Sequence, residues 1–324
     1  MRQMLQKSYG PNIKLGKRIT LSGSLVYYRY IYLMMIPGIA AYFFFSYLPM
    51  YGMIIAFQNF SIIDGFRGSE WIGLKNFADF FGDSDFSMTL RSTLAIGILR
   101  IAFSFPAPII FALMLNELKD GYFKKASQTI SYLPHFISWA TIGAIVLTFI
   151  SVDMGPLNSL LIKAGLMDKP IHFIAVGKYF WPIVVSTDIW RELGWNTIFY
   201  IAVISTIDKQ MYESAIVDGA GKWKQVLSIT MPNLIPAIAI MLILNMGNIV
   251  NAQATDLFNQ LLVLRNDVIR EYSDVLDVYV YKQGLGDGMY SYAAAVGIFK
   301  GVVSLALVLG ANKISKLITN KSIL

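Results

Sequence analysis

Six long apolar runs set what this chain can fold into. They lie at about 30–57, 88–116, 133–151, 180–207, 233–252 and 292–312, and each comes near the ~20 residues an α-helix needs to cross a hydrocarbon core. In lipid a backbone must satisfy its own hydrogen bonds, and a helix does so within one segment. The expected class is therefore an all-α membrane protein with six transmembrane helices. Composition agrees: 15% of residues are charged and mean hydropathy is +0.55, against about 25% charged in ordinary soluble domains. The run 180–207 is the least uniform, because it carries charges. Pro37-Gly38 predicts a kink in the first run, which is too long for the apolar core of a signal peptide.

Six crossings put both termini on one side, and the placement of Lys and Arg decides which. Residues 1–29 hold Arg2, Lys7, Lys14, Lys17, Arg18 and Arg29 and no acid. Together with 117–132, 208–232 and 313–324 they carry fifteen basic and five acidic residues, against eight and thirteen in 58–87, 152–179 and 253–291. Both termini are expected in the cytoplasm: a basic arm at 1–29, a transmembrane domain at 30–318 and a tail at 319–324. The net charge of +7 is then topological and meets anionic lipid; no nucleic-acid partner is expected. On the other side, Trp71 to Phe77 with Phe80 and Phe81 reads as an amphipathic segment anchored by aromatics at the interface. The acidic, Tyr-rich loop 253–291 either receives a partner or caps the bundle.

Between the fourth and fifth runs lies a polar stretch, Tyr212 to Pro232, that cannot span a membrane. Its Asp218-Gly219 pair predicts a break between two short helices, with Gly supplying the positive φ that ends the first. Pro232 has no backbone N–H and fits the first turn of the apolar helix that follows. The spacing thus predicts helix, turn, helix at the membrane surface.

This stretch resembles the "EAA" signature of permease subunits in binding-protein-dependent ABC importers. The signature runs Glu-Ala-Ala, three residues, Gly, then nine residues to Ile-x-Leu-Pro. Here it reads Glu213-Ser214-Ala215, Asp218-Gly219-Ala220 and Ile229-Thr230-Met231-Pro232, with Ser214 and Met231 as the two departures. Ser131 to Trp139, Asp188-Ile189-Trp190 and Asn245 to Ile249 are similar to the oligosaccharide and polysaccharide branch of that family, which includes permease subunits of alginate-oligosaccharide importers. The resemblance covers the chain from about residue 30 onward. It implies the type I importer fold, a bacterial cytoplasmic (inner) membrane location and transport of oligosaccharides, acidic ones included. It further implies a second, different permease chain, two cytoplasmic ATP-binding subunits and an extracytoplasmic solute-binding protein. Glu213, Ala215, Asp218, Gly219, Ala220 and Pro232 would form the coupling loop, within 208–232, that docks on an ATPase.

Charges inside a span cost ~2.5–3.5 kcal/mol on insertion scales and face a cavity or a partner. Asp188, Arg191, Glu192 and Trp195 follow i, i+3, i+4, i+7 and share one helix face. An aromatic ring beside carboxylates and a guanidinium suits a sugar: the ring stacks on a pyranose and the charged groups bond hydroxyls. The same residues could instead lock the bundle through an Asp188–Arg191 or Arg191–Glu192 pair. Asn245 and Asn248 are either fasteners between helices or ligands. The resemblance implies that all six line the substrate pathway. Arg91 is placed to snorkel outward. Arg100 lies deeper and could face the pathway or pair with another chain, and Lys300 sits in a Gly297–Gly301 spacing that favours close helix packing. Arg191, with Arg100 or Lys300, would pair the carboxylates of a uronate.

The chain has no Cys and two His, which removes disulfides, thiolate metal sites and Cys nucleophiles. No catalytic residue and no metal site is expected. It has no G-x-x-x-x-G-K-[ST] loop, so ATP and Mg would be bound by partner subunits and the chain itself would need no cofactor. An ion-coupled secondary transporter of sugars is the competing class, but inverted repeats are not visible. A membrane glycosyl-transferring enzyme could use Asp188 and Glu192 as a carboxylate pair, yet Arg191 beside them would hold both ionised.

Overall fold

A computed structural model describes residues 27–153, 155–252 and 255–319. Most of the arm expected at 1–29 and of the tail at 319–324 lies outside the described residues. The chain divides into two compact units, Met1–Ile54 and Ile55–Leu324. In the first, α1 (Arg29–Tyr42) passes through a wider turn, Phe43–Tyr47, five residues beyond Gly38. Pro37 lies inside α1, and the wide turn stands just before Pro49, whose missing N–H it accommodates.

The second unit is helical apart from a two-residue pairing of β1 (Gln58–Asn59) with β2 (Glu70–Trp71). Helix α2 (Lys75–Gly82) leads to α3 (Ser84–Leu99), which runs through a wide turn at Arg100–Ser104 into α4 (Pro106–Glu117). Pro106 starts α4, and its missing N–H is tolerated by the preceding turn. Next come α5 (Tyr122–Tyr132), the short turn Leu133–Phe136 and α6 (Trp139–Phe149), which meet at a bend of 102°. Helix α7 (Pro156–Lys163) is short, and α8 (Gly177–Ser205) has 29 residues. Helix α9 (Lys209–Val217) is followed by α10 (Lys222–Gln225), a wide turn at Val226–Thr230 and α11 (Met231–Gly247). The unit ends with α12 (Leu257–Leu264), α13 (Leu276–Tyr281) and α14 (Tyr290–Thr319).

Among the described residues, four helical stretches are long and apolar enough to cross a membrane: Arg29–Phe57, Ser84–Glu117, Lys222–Gly247 and Tyr290–Lys313. The bent pair α5–α6 makes a fifth if it counts as one. Helix α8 is long enough, about 43 Å at 1.5 Å per residue, but carries Lys178, Asp188, Arg191 and Glu192. Where a loop was expected at 117–132 the chain forms α5, whose periodicity is short and ends at Pro134. The apolar helix expected from Pro232 already begins at Lys222. The wide turn Val226–Thr230 absorbs the missing N–H of Pro232 within a continuous helix.

Helix α8 is the spine of this unit. Phe180 and Val184 pack with Leu257, Leu261, Leu264 and Val278. Further along, Tyr200 and Ile204 pack with Ile109, Ala112 and Leu234. A side chain at Gly194 would lie 2.2 Å from the Ser131 carbonyl, so only Gly lets α8 approach α5 this closely. Within the segment 255–291 the run Ser273–Tyr279 is core, and Asp274 and Asp277 are fully buried. Asp274 takes bonds from Arg265 (3.1 Å), Arg270 (3.2 Å) and Lys282 (3.3 Å). The aromatics of α2 are likewise packed and not only anchors. Phe80 is fully buried against Phe86, Tyr292 and Phe299, while Trp71 stays exposed and stacks on Phe57.

Candidate functional site

A cleft opens between α3–α4, α8 and α11. Arg100, Ser104, Asp188, Glu192, Asn196, Met241 and Asn245 are among its lining residues. Arg100 stands at the wide turn joining α3 to α4. Its Nε and one terminal nitrogen each donate to Asp188 at 3.1 Å, a fork-on-carboxylate pair. The other terminal nitrogen reaches Thr255 Oγ1 at 3.5 Å. Asp188 is almost wholly buried, whereas 22% of the Arg100 side chain remains exposed. Asn245 Nδ2 donates back to the Met241 carbonyl at 2.8 Å, which holds the amide against α11.

The helix face read from the sequence divides in the structure. Asp188, Glu192 and Asn245 line the cleft. Arg191 is buried and turns to the break between α5 and α6. It donates to the carbonyls of His135 (3.0 Å) and Ile137 (3.3 Å), to Asp256 (2.7 Å) and to Glu192, and lies 4.8 Å above the Trp139 ring. Glu192 also bonds His135 Nδ1 at 2.9 Å. Trp195 stacks on the His135 ring with centroids 4.2 Å apart and planes 2° apart, and is 43% exposed. Asn248 ends α11, half-buried, and is not among the cleft residues. Of the two internal pairs weighed above, Arg191–Glu192 forms; Asp188 pairs with Arg100.

Lys300 is buried on the fully buried Asp277, whose other oxygen accepts from the Ala252 amide at 2.6 Å. It is a fastener between α13 and α14, away from the cleft. The glycines around it meet nothing: a Cβ at Gly297 or Gly301 would have open space, so their spacing serves no close packing among the described residues. Arg91 lies against the rings of Trp181 and Tyr272 at 5.8 Å each.

The polar stretch folds as helix, turn, helix. The Asp208 side chain accepts from the Gln210 amide at 2.9 Å and caps α9. The far end closes with two bonds: Gly219 N–H to Ile216 (3.0 Å) and Ala220 N–H to Ala215 (2.8 Å). This is the Schellman pattern, and its left-handed residue is Gly219 at φ +74°. Asp218 and Glu213 are exposed. Ile216, Val217 and Trp223 are exposed at 62%, 87% and 80%, an apolar tip on a polar loop. Tyr212 and Thr230 share a 2.9 Å bond that ties α9 to the start of α11.

Sequence reasoning did not assign roles to His135, Thr255 and Asp256. The signals present were weak. Pro134 marks a helix break beside His135, and Asp256 stands just before an apolar helical run. Among the described residues no cluster of His, Cys, Asp and Glu could hold a metal ion.

Residues 104–258 match the family described as binding-protein-dependent transport system inner membrane component. Protein LplB of Bacillus subtilis (strain 168) is 40% identical over 316 residues, covering 98% of both chains. The polygalacturonan/rhamnogalacturonan transport system permease protein YteP of the same organism is 40% identical, covering 94% of this chain and 92% of that protein. In a crystal structure of a bacterial ABC transporter involved in the import of the acidic polysaccharide alginate, one chain matches with TM-score 0.83 and 36% identity. That match covers 92% of this chain and 99% of that chain. The fold is thus that of a type I ABC importer permease, all-α and membrane-embedded. The chain belongs to the family of inner membrane components of binding-protein-dependent transport systems.

Proposed function

We propose that this chain is one permease subunit of an ATP-driven importer of acidic oligosaccharides. The observation that carries this reading is the cleft of Arg100, Asp188, Glu192 and Asn245, whose walls α8 and α11 both run to the loop 208–232. Similarity to a transporter of polygalacturonan and rhamnogalacturonan and to one of alginate supports a substrate bearing carboxylates. Arg100, partly exposed and able to fork on a carboxylate, is the cation that would meet a uronate. Asp188, Glu192 and Asn245 supply partners for hydroxyls, and the open face of Trp195 suits a pyranose ring. Asn248 contributes at the end of α11. Arg191 acts from behind this surface.

The chain crosses the inner membrane six times with both termini in the cytoplasm. It works with a second, different permease chain, two ATP-binding subunits that hold ATP and Mg, and an extracytoplasmic solute-binding protein. A crystal structure of a bacterial alginate ABC transporter in complex with an alginate pentasaccharide-bound periplasmic protein, one chain of which is 36% identical to this chain over 94% of this chain's length, supports that last partner. The apolar tip of α9 and α10, flanked by Glu213 and Asp218, seats in an ATPase. Ala215, Gly219 and Ala220 keep its shape, and Pro232 joins it to α11. ATPase closure moves this loop, and α8 and α11 carry the movement to the cleft in alternating access.

Uptake by the reconstituted assembly tests the reading. ATP-dependent uptake of alginate oligosaccharides is expected, exceeding that of neutral maltooligosaccharides. The double variant Arg100→Gln/Asp188→Asn removes both charges at once without leaving one unpaired. It should lower acidic-sugar uptake about tenfold, the scale of one lost charge-assisted contact, and neutral-sugar uptake by clearly less. An equal drop for both sugars would refute charge pairing.

A further inference from the structure

We infer that Arg191 and Asp256 form a latch that couples movement of the loop 208–232 to the cleft, so that Arg191 is a positioning residue and no sugar ligand. This rests on the transport reading above. The guanidinium has five N–H donors, and the side chain, 7% exposed, spends them on His135 O, Ile137 O, Glu192 and Asp256. Both carbonyls belong to the 102° break between α5 and α6, where helix-end carbonyls need outside donors. Asp256 immediately precedes α12, and four residues on Gln260 repeats the attachment: its Nε2 donates to the Val184 carbonyl (2.7 Å) and to Thr187 Oγ1 (2.9 Å) of α8. One side chain therefore joins three parts: the spine helix α8, the bent pair, and the segment after α11.

The arrangement has the asymmetry of a switch. Two carboxylates share one guanidinium. Glu192 is 17% exposed and adjacent in the chain, whereas Asp256 is 50% exposed and comes from the segment beyond α11. Releasing Asp256 leaves Arg191 neutralised by Glu192, so opening costs no unpaired buried charge. Beside it, Thr255 contacts Arg100 in the cleft. Movement of α11 relative to α8 thus reaches the Arg191–Asp256 bond and the cleft cation together. Coupling needs an element with two arrangements that both sites bias, and this bond provides one.

The test uses the complete assembly in proteoliposomes with an alginate pentasaccharide as probe. Asp256→Asn keeps Arg191 paired and should assemble normally; Arg191→Ala is avoided because it empties a buried cluster. The expected result is that ATP hydrolysed per sugar imported rises about fivefold, the low end of coupling energies between sites. The half-saturating sugar concentration should stay within about twofold, and Asp256→Glu should restore the wild-type ratio. An unchanged ratio in Asp256→Asn overturns the latch, whether or not sugar affinity changes. Failure of the wild-type assembly to import the probe would count against the transport reading instead. In that case faster amide exchange at Trp139–Ile142 and Leu257–Leu261 in Asp256→Asn still supports the latch, and unchanged exchange at both overturns it.

Discussion

In the loop between α8 and α11, the bonds that shape the backbone join near neighbours. Asp208 caps Gln210, Ala220 closes on Ala215, and Gln225 reaches back to Ala220. On the charged face of α8 the partners come from far along the chain: Arg100 is 88 residues from Asp188, Asp256 is 65 from Arg191, and His135 is 57 from Glu192. The first region can take its shape before the rest of the unit packs. The second exists only once four separate segments have met. A mutation in the loop should therefore damage function with the fold intact, and one in the cluster should damage the fold itself.

The largest effect expected from this contrast is at Asp188. Asp188→Asn leaves the partly exposed Arg100 without its carboxylate, a loss approaching the ~3–5 kcal/mol of a buried pair broken on one side. Thermal melts of the detergent-solubilised chain should show it. Adding Arg100→Gln should recover part of the loss, because the second charge then also disappears. A single variant as stable as wild type would mean the pair is already hydrated.

Gly219→Pro attacks the other region. Proline fixes φ near −65° and removes the N–H that closes on Ile216, at a site held at φ +74°. The local cost is about 3 kcal/mol but falls on an exposed loop. Membrane insertion and the melting of α8 should survive while transport and substrate-stimulated ATP hydrolysis are lost. Coupled hydrolysis in this variant would overturn the lever role of the loop.

The same contrast explains what the sequence made legible. The apolar runs predicted the long helices because crossing length and periodicity are properties of one segment. Gly219 and the helices around it were readable for the same reason. Asp188, Arg191, Glu192 and Trp195 all stand on α8, where the i, i+3, i+4, i+7 spacing puts them. Spacing along one helix cannot say what stands opposite, however. Arg100 was expected to meet a substrate carboxylate and not Asp188, Asp256 had no expected role, and the expected shared surface turned out to point partly at the cleft and partly at the α5–α6 break. Lys300 misled in the same way: Asp277, 23 residues earlier, neutralises it out of reach of any substrate. The loop at 117–132 hid α5 because a short amphipathic helix between apolar runs reads as polar linker.

Asp83 combines both kinds of bond in one carboxylate, and pH can separate them. Its local bond is to the Asp85 amide at 2.8 Å, capping α3. Its remote bonds come from Tyr292 at 2.8 Å and from Tyr279. Burial works to raise the carboxyl, but the bonds from Tyr279, the Asp85 amide and Tyr292 outweigh it and hold the group below its ordinary 3.8. Burial, then the bond to Asp83, pushes the Tyr279 hydroxyl up to about 12, so it remains a donor throughout the neutral range. A lowered carboxyl stabilises the fold above its unfolded value, and that contribution fades as pH falls through the folded one. Tyr279→Phe should therefore cost about 1.5 kcal/mol near neutrality, the scale of a hydrogen bond to a charged group. The deficit should shrink once the pH drops below about 3.8 and Asp83 protonates. Melting both proteins across that range checks it. A deficit independent of pH would assign Tyr279 to packing alone and leave the Asp85 amide and Tyr292 as the bonds that hold Asp83.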